Sequence, residues 1–259
     1  LKDFVLREND IERNGHIYCK VCGKRVDGEL LDLGFTKFIP RIKCECEIKR
    51  DKENEERERL MRISSLKRDC FSSPLQHQYT FEKFLNKKGQ AYKVAYNYAK
   101  SYEQMKKDNV GLLFYGDVGS GKTYLDCSIA NELIEKNLIR VKLRNLSQII
   151  NEIQQAGFSE ERNWIIRNLA NIPLLILEDL GIERDTSYSR EQVYNVINER
   201  YIGGKPTIFT TNLLLKTLND SDEELEYQRI YSRILEMVIP VKISGEDIRK
   251  KTCQVHNIV

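Results

Sequence analysis

The stretch that decides the fold is VGLLFYGDVGSGKTYLDCSIANELIEK, residues 110–136. Its first six residues form an apolar run typical of a buried strand, and its last fourteen predict a helix. Between them, residues 116–123 match G-x-x-x-x-G-K-[ST], in which glycines let successive backbone N–H groups face an anion at a helix N-terminus. Since the motif lies between a strand and a helix, as it must, the sequence predicts a nucleotide phosphate site.

Each residue type in this loop has a chemical reason. Gly116, Gly119 and Gly121 allow the tight backbone curl, Lys122 supplies a positive charge for the β- and γ-phosphates, and the Thr123 hydroxyl is suited to Mg²⁺. The cofactors expected here are ATP or ADP with Mg²⁺. The predicted nucleotide-binding residues of this segment are Gly116, Asp117, Val118, Gly119, Ser120, Gly121, Lys122, Thr123 and Tyr124.

The strand before the loop is the first of five apolar runs. The others, separated by helical patterns, are 139–143, 172–177, 206–211 and 238–243. Short buried strands alternating with helices predict an α/β fold, with a parallel sheet that has helices on both faces.

Polar residues follow two of these strands. Glu178 and Asp179 end the run LLILEDLG, where a magnesium-holding carboxylate and a water-activating carboxylate belong. Asn212 ends IFTTN and is a polar tip suited to orienting the attacking water. Together with the phosphate loop, and in this order, the three elements predict hydrolysis of a nucleoside triphosphate.

Four of the seven cysteines form two close pairs, Cys19-x₂-Cys22 and Cys44-x-Cys46. Two thiolate pairs on turns supply a tetrahedral site for Zn²⁺. In a chain with no recognisable secretion signal, metal binding is favoured over disulfides, and free structural cysteines are the alternative. We expect His16, three residues before the first pair, to be a surface residue and not a ligand.

Composition and motifs predict three parts, with a zinc-binding domain at 1–46, a charged helical linker at 47–69 and an ATPase domain at 70–259. The 42 basic and 39 acidic residues are nearly balanced, which excludes a histone-like polycation but leaves room for a local nucleic-acid patch. No run approaches the roughly 18 apolar residues of a membrane-spanning helix. We therefore expect a cytoplasmic protein with no membrane contact.

The order of these motifs, followed by QRIYSRILEM (228–237), resembles the DnaC/DnaI-type AAA+ replicative helicase loaders, in the clade shared with the IstB transposition helper. The resemblance covers about residues 70–251. It implies that Arg233 acts in trans as an arginine finger in a neighbouring copy's site, with Arg229 as its interface neighbour. It also implies that Arg249 touches the γ-phosphate in cis. For each arginine, an ordinary surface position is the alternative.

The resemblance also implies an AAA+ P-loop ATPase with a five-stranded parallel sheet in the order 5-1-4-3-2 and a reduced lid. The sequence departs from the family at one point. Loaders usually show Asp–Asp or Asp–Glu where this chain has Glu178–Asp179. Because small displacements of catalytic groups are costly, we expect slow hydrolysis.

In the resembling loaders, the segment after the carboxylate pair touches single-stranded DNA. Thr186, Ser187 and Tyr188 hold the matching place, where Tyr188 offers a stacking face and Arg184 and Arg190 offer charges for phosphates. An ordinary helix N-terminus, capped by Thr186 or Ser187, is the equal alternative.

By analogy with the loaders, the partners expected are a hexameric replicative DNA helicase bound by residues 1–46, single-stranded DNA, and further copies of this chain. Three other functions stay open: an IstB-type transposition helper, a metabolic P-loop kinase, and a non-catalytic ATP-gated zinc scaffold.

Overall fold

The computed structural model describes residues 6–181, 186–218 and 225–244. The chain divides into two compact units, Leu1–Arg62 and Ile63–Val259. The three-part division expected from composition stays a prediction.

The first unit is built from two small antiparallel hairpins and the start of a long helix. Strands β1 (Asp10–Arg13) and β2 (His16–Cys19) form one hairpin, and β3 (Leu31–Asp32) and β4 (Lys37–Phe38) form the other. Helix α1 (Glu45–Cys70) carries the charged run, which is therefore helical. The core is very small, with Ile17 and Val26 packed beside two cysteines.

The second unit contains the phosphate loop. Two short 3₁₀ helices, Pro74–Gln78 and Phe81–Lys83, precede its regular elements. These are α2 (Gln90–Lys100), α3 (Tyr102–Lys107), β5 (Gly111–Gly116), α4 (Lys122–Asn137), β6 (Val141–Asn145), α5 (Leu146–Gln155), α6 (Ser159–Asn171), β7 (Leu174–Leu180), α7 (Ser187–Ile202), β8 (Thr207–Thr211), α8 (Leu215–Leu218), α9 (Leu225–Met237) and β9 (Val238–Ile243).

Strands β5 to β9 form one parallel sheet in the order β6-β7-β8-β5-β9. Numbered from the first of these strands, that order is 2-3-4-1-5, and the predicted arrangement is confirmed. Side chains alternate between two separate cores, since Leu112 and Phe114 pack into one and Leu113 into the other. Both faces of the sheet are therefore covered, as the continuous apolar strands predicted.

The position of one proline is explained by this sheet. Pro240, which lacks a backbone N–H, lies in β9 at the edge of the sheet, where an unpaired residue is tolerated.

The predicted reduced lid falls after residue 244, outside the described residues. Among the helices that the structure describes, none combines the length and the apolar character needed to cross a bilayer.

Candidate functional site

The phosphate loop follows β5 and ends where α4 begins. Gly116, Gly119 and Gly121 all have positive φ angles, of 139°, 78° and 100°. A Cβ atom on Gly116 would lie 2.1 Å from the carbonyl oxygen of Ile243, so glycine is required there by both conformation and space. The loop thus presents the N-terminus of a sixteen-residue helix toward the carboxyl edge of the sheet.

The Lys122 side chain ties the loop to the neighbouring strand. Its ammonium group donates to the carbonyl oxygens of Gly116 and Asp117, both at 2.8 Å, and to Oδ1 of Asn212 at 2.7 Å. Lys122 is only 8% exposed. The structure therefore brings together the predicted phosphate-binding lysine and the predicted water-orienting asparagine, although they are far apart in sequence.

Glu178 lies at the tip of β7 beside the start of α4. It accepts a hydrogen bond from the Thr123 hydroxyl, and burial raises the pKa of its carboxyl. Its Oε1 atom is shielded from solvent and has no hydrogen-bond partner. A hydroxyl and a carboxylate with an unused oxygen are hard ligands of the kind that Mg²⁺ prefers, so these residues fit the ion that the sequence predicted.

Asp179 occupies a backbone irregularity that the sequence did not predict. The pairing of β7 with β8 shifts register between Leu177 and Leu180, which makes a bulge at the tip of the strand. Asp179 lies in this bulge with a φ of 63°, in the left-handed region. Its backbone N–H donates to Oγ1 of Thr210 at 3.2 Å. The bulge re-aims the carboxylate relative to a regular strand.

Asn145 is a site residue that sequence reasoning missed. From the end of β6, its amide donates to Oδ2 of Asp179 at 2.5 Å. Its Oδ1 accepts from the backbone N–H of Ser147, and Gln148 completes a capping box at the start of α5. The pattern N-x-x-Q at 145–148 signals such a cap, but no sequence signal indicates the contact with Asp179.

Other residues of the loop differ in their surroundings. Ser120 is buried with an unpartnered hydroxyl, whereas Asp117 and Val118 are exposed. Tyr124 is half-buried and stacks on Tyr79 at 4.5 Å between ring centroids. Asn131 holds the Tyr79 segment against α4 by donating to the Tyr79 carbonyl oxygen at 2.9 Å. Tyr124 thus joins the loop helix to the segment that precedes α2.

Arg233 has its contacts away from this cluster, on the surface that α7 and α9 form. Its guanidinium stacks over the rings of Tyr194, at 4.5 Å from the centroid, and Tyr201, at 5.8 Å. The Tyr201 hydroxyl donates to Glu236 at 2.7 Å. Arg233 and the exposed Arg229 line an open pocket of about 440 Å³. An outward-facing pocket with two arginines suits an anionic group supplied by another molecule.

The segment proposed for DNA starts α7. Thr186 caps this helix by accepting from the backbone N–H of Ser189 at 3.1 Å, so for Thr186 the capping alternative describes the structure. Tyr188 is half-buried, and the Arg190 guanidinium lies 5.5 Å from the ring centroid of Tyr227. Arg184, like Arg249, lies outside the described residues.

The four paired cysteines form one cluster, with all their Sγ atoms within 4.8 Å of one another. All four are free thiols. Backbone N–H groups of Cys22 and Val21 point at Cys19 and lower its thiol pKa to about 7. A compact set of four sulfur ligands, one already favouring the thiolate, fits a structural Zn²⁺. His16 is not part of the cluster and pairs with Asp27 at 2.9 Å.

Comparison with known proteins agrees with this architecture. The replicative helicase loader DnaI of Bacillus subtilis (strain 168) is 31% identical over 165 residues, which is 59% of this chain and 51% of DnaI. The chain therefore spans about half the length of this relative. Crystal structures of DnaI and of the DnaC helicase loader each superpose with a TM-score of 0.57 at 24% identity. They cover 68% and 66% of this chain, and 96% and 100% of their own.

The solved structures, at this level of identity, show a shared fold. The family match goes further, because it runs from residue 28 to residue 255 and so covers most of the chain. The protein belongs to the family of IstB-like ATP binding proteins.

Proposed function

We propose that this protein is an ATP-binding and ATP-hydrolysing loader of a replicative DNA helicase. The observation that carries the nucleotide part is the Lys122 ammonium, held between two loop carbonyls and Asn212. An incoming phosphate carries a full negative charge, so it attracts that ammonium more strongly than the neutral carbonyl and amide oxygens do. The loader part rests on the family match and on the likeness to DnaI and DnaC.

In this proposal, the loop N–H groups and Lys122 bind the phosphates, while Thr123 and Glu178 hold Mg²⁺. The ion, when bound, neutralises phosphate charge. Asp179, oriented by Asn145, takes a proton from the attacking water, and Asn212 orients that water once Lys122 turns to the phosphates. Arg233 enters the site of a neighbouring copy, and Arg249 touches the γ-phosphate from within the chain.

We further propose that the zinc-binding unit, with Cys19, Cys22, Cys44 and Cys46, binds the hexameric helicase. Two basic residues of this unit are poor candidates for DNA contact, because Arg41 is paired with Asp10 and Glu47, and Arg25 with Asp27. Single-stranded DNA is assigned to the start of α7, with Tyr188 as the stacking residue.

The second candidate is an IstB-type transposition helper, favoured by the name of the matching family. Both candidates need ATP and self-assembly, so ATPase assays do not separate them. The partner does: a loader binds the replicative helicase, and a helper stimulates a transposase.

The test begins with the purified full chain and a fluorescent ATP analogue. Lys122→Ala should weaken binding by about 100-fold, near 3 kcal/mol, because the phosphates lose a charged partner. The matched control is Lys136→Ala, an exposed lysine on the same helix, which should bind as the wild type does. Equal affinity in the two variants would remove the phosphate site.

The partner is tested by pull-down against the replicative helicase from the same source, with ATP present. The wild type and Lys136→Ala should retain the helicase, and a tagged chain lacking residues 1–44 should not. Failure of the full chain to retain helicase, together with stimulation of a transposase, would favour the helper.

A further inference from the structure

One buried carboxyl group near the site has no role in the function described so far. Asp126 lies on α4, three residues after Thr123 and four after Lys122, so it shares their face of the helix. It is 0% exposed, and neither of its carboxyl oxygens has a hydrogen-bond partner. Its helix neighbours Leu125 and Cys127 are fully buried in an apolar core.

Such a group is costly for the fold. Buried polar atoms are almost always hydrogen-bonded, and an unpartnered one costs about 1–3 kcal/mol in protein mutational data. Alanine at this position would fit an apolar interior without that cost. The partner of Asp126 is therefore expected to arrive with a ligand.

The charges that act on Asp126 show which residues lie near it. Burial, together with the negative charges of Glu178 and Asp179, raises its pKa, while Lys122 opposes the rise. These are the residues at the tip of β7 and in the phosphate loop. Glu178 has an unpartnered oxygen of its own, Oε1. Two buried carboxyl groups with unpartnered oxygens thus lie near each other at the phosphate loop.

A hydrated magnesium ion carries hydrogen-bond donors, which these two carboxyl groups lack. Mg²⁺ in nucleotide sites keeps several of its waters, and each of those waters is a hydrogen-bond donor. The residues present fit this ion, because a hydroxyl (Thr123) and a carboxylate with a free oxygen (Glu178) stand beside Asp126.

We propose that Asp126 is a positioning residue of the nucleotide site, whose carboxylate accepts hydrogen bonds from waters on the nucleotide-bound Mg²⁺ and so fixes the ion against Glu178. This inference rests on the proposed nucleotide-binding function. It places an additional carboxyl group at the phosphate loop, where it acts on the ion through water and not as a direct ligand.

The experiment measures two properties of Asp126→Asn and Asp126→Ala. The first is the Mg²⁺ concentration that half-saturates binding of a fluorescent ATP analogue, which should rise about 10-fold or more, as is typical when an outer partner of a metal site is lost. Binding in EDTA should be unchanged. The second is the melting temperature of the nucleotide-free protein. It should stay the same or rise in Asp126→Ala, because that variant loses an unsatisfied buried carboxyl group, and stay about the same in Asp126→Asn, which keeps a buried polar group.

The control is Ser128→Ala, a fully buried polar residue on the same helix whose hydroxyl donates to the Tyr124 carbonyl. It should leave the Mg²⁺ requirement unchanged. A normal Mg²⁺ requirement in both Asp126 variants, with a lower melting temperature, would overturn the inference and leave the proposed function standing. A wild type that binds no nucleotide would overturn both. If Asp126→Ala does not fold, Asp126→Asn, which keeps the shape, decides.

Discussion

At the scale of single residues, the site depends on side chains that serve two purposes. Asn145 both caps α5 and donates a hydrogen bond to Asp179. Lys122 both donates to Asn212 and is the proposed phosphate-binding residue. When one side chain has two roles, a substitution that removes only one of them is more informative than truncation of the side chain to alanine.

Asn145 allows such a separation. Asn145→Ser keeps an oxygen to cap α5 but is too short to donate to Asp179, so ATPase activity should fall about 10-fold, near 1.4 kcal/mol, with little change in stability. Asn145→Ala loses the cap as well and should also lose about 1 kcal/mol of unfolding free energy. Steady-state ATPase assays and urea denaturation measure the two effects. Wild-type ATPase activity in Asn145→Ser would show that Asp179 needs no support.

The residue scale also shows the limit of sequence reasoning. Lys122, Thr123, Glu178 and Asn212 were predicted because each follows a strand or a glycine pattern in a recognisable order. Asn145 was not, because its contact with Asp179 joins the ends of two strands and leaves no local signal. The left-handed conformation of Asp179 was equally hidden, since it depends on a bulge against β8.

At the scale of elements, Arg233 of α9 stacks on two tyrosine rings of α7. A guanidinium over an aromatic ring gains about 0.5–2 kcal/mol, and two rings restrict the directions in which Arg233 points. The stack therefore orders the arginine before the proposed neighbouring copy binds.

Removing the nearer ring tests this arrangement. Tyr194→Leu should lower ATPase activity several-fold in the assembled state, because Arg233 loses its preferred orientation, while nucleotide affinity stays unchanged. Tyr194→Phe keeps the ring face and should restore activity, which a purely structural role of the hydroxyl would not predict. Equal losses in the leucine and phenylalanine variants would contradict the stacking role.

The elements themselves were largely predictable. Strands that are buried on both faces appear in the sequence as apolar runs. All five predicted strands are present in the structure, and their boundaries differ from the predicted ones by three residues at most. The sequence at 91–106 has one continuous amphipathic helical pattern, but the chain breaks at Ser101 into α2 and α3. Periodicity continues across such a break, so the pattern does not reveal it.

At the scale of the whole molecule, the cysteine cluster and the phosphate loop lie in separate compact units. The first unit has a core of only a few residues, so the metal is expected to stabilise it.

Purified protein should hold about one equivalent of zinc per chain. The double variant Cys19→Ser/Cys44→Ser should lose it, because two of four thiolates are gone, whereas Cys127→Ala, a buried cysteine of the other unit, should retain it. Metal analysis by mass spectrometry gives the answer. A full equivalent in the double variant would refute the four-cysteine assignment.

Assembly is tested by mixing two inactive variants. Arg233→Ala should bind ATP normally yet lose ATPase activity, since its arginine belongs to a neighbour's site. Lys122→Ala keeps an intact Arg233 for a neighbouring copy but has no functional phosphate site of its own. Mixing the two should restore part of the activity at shared interfaces. Normal hydrolysis by Arg233→Ala alone would exclude the role in trans.

The order of the sheet has a consequence for how the protein is made. Strand β5, which leads into the phosphate loop, pairs with β8 on one side and β9 on the other, and both are synthesised much later. Gly116 packs against the backbone of Ile243, at the end of β9. During translation the phosphate loop therefore leaves the ribosome before either neighbouring strand has been made. It can adopt its folded conformation only after nearly all of the described chain has been synthesised. Contacts so distant in sequence fold slowly, and the unpaired edges of β5 are exposed to chaperones, and to aggregation, throughout that interval.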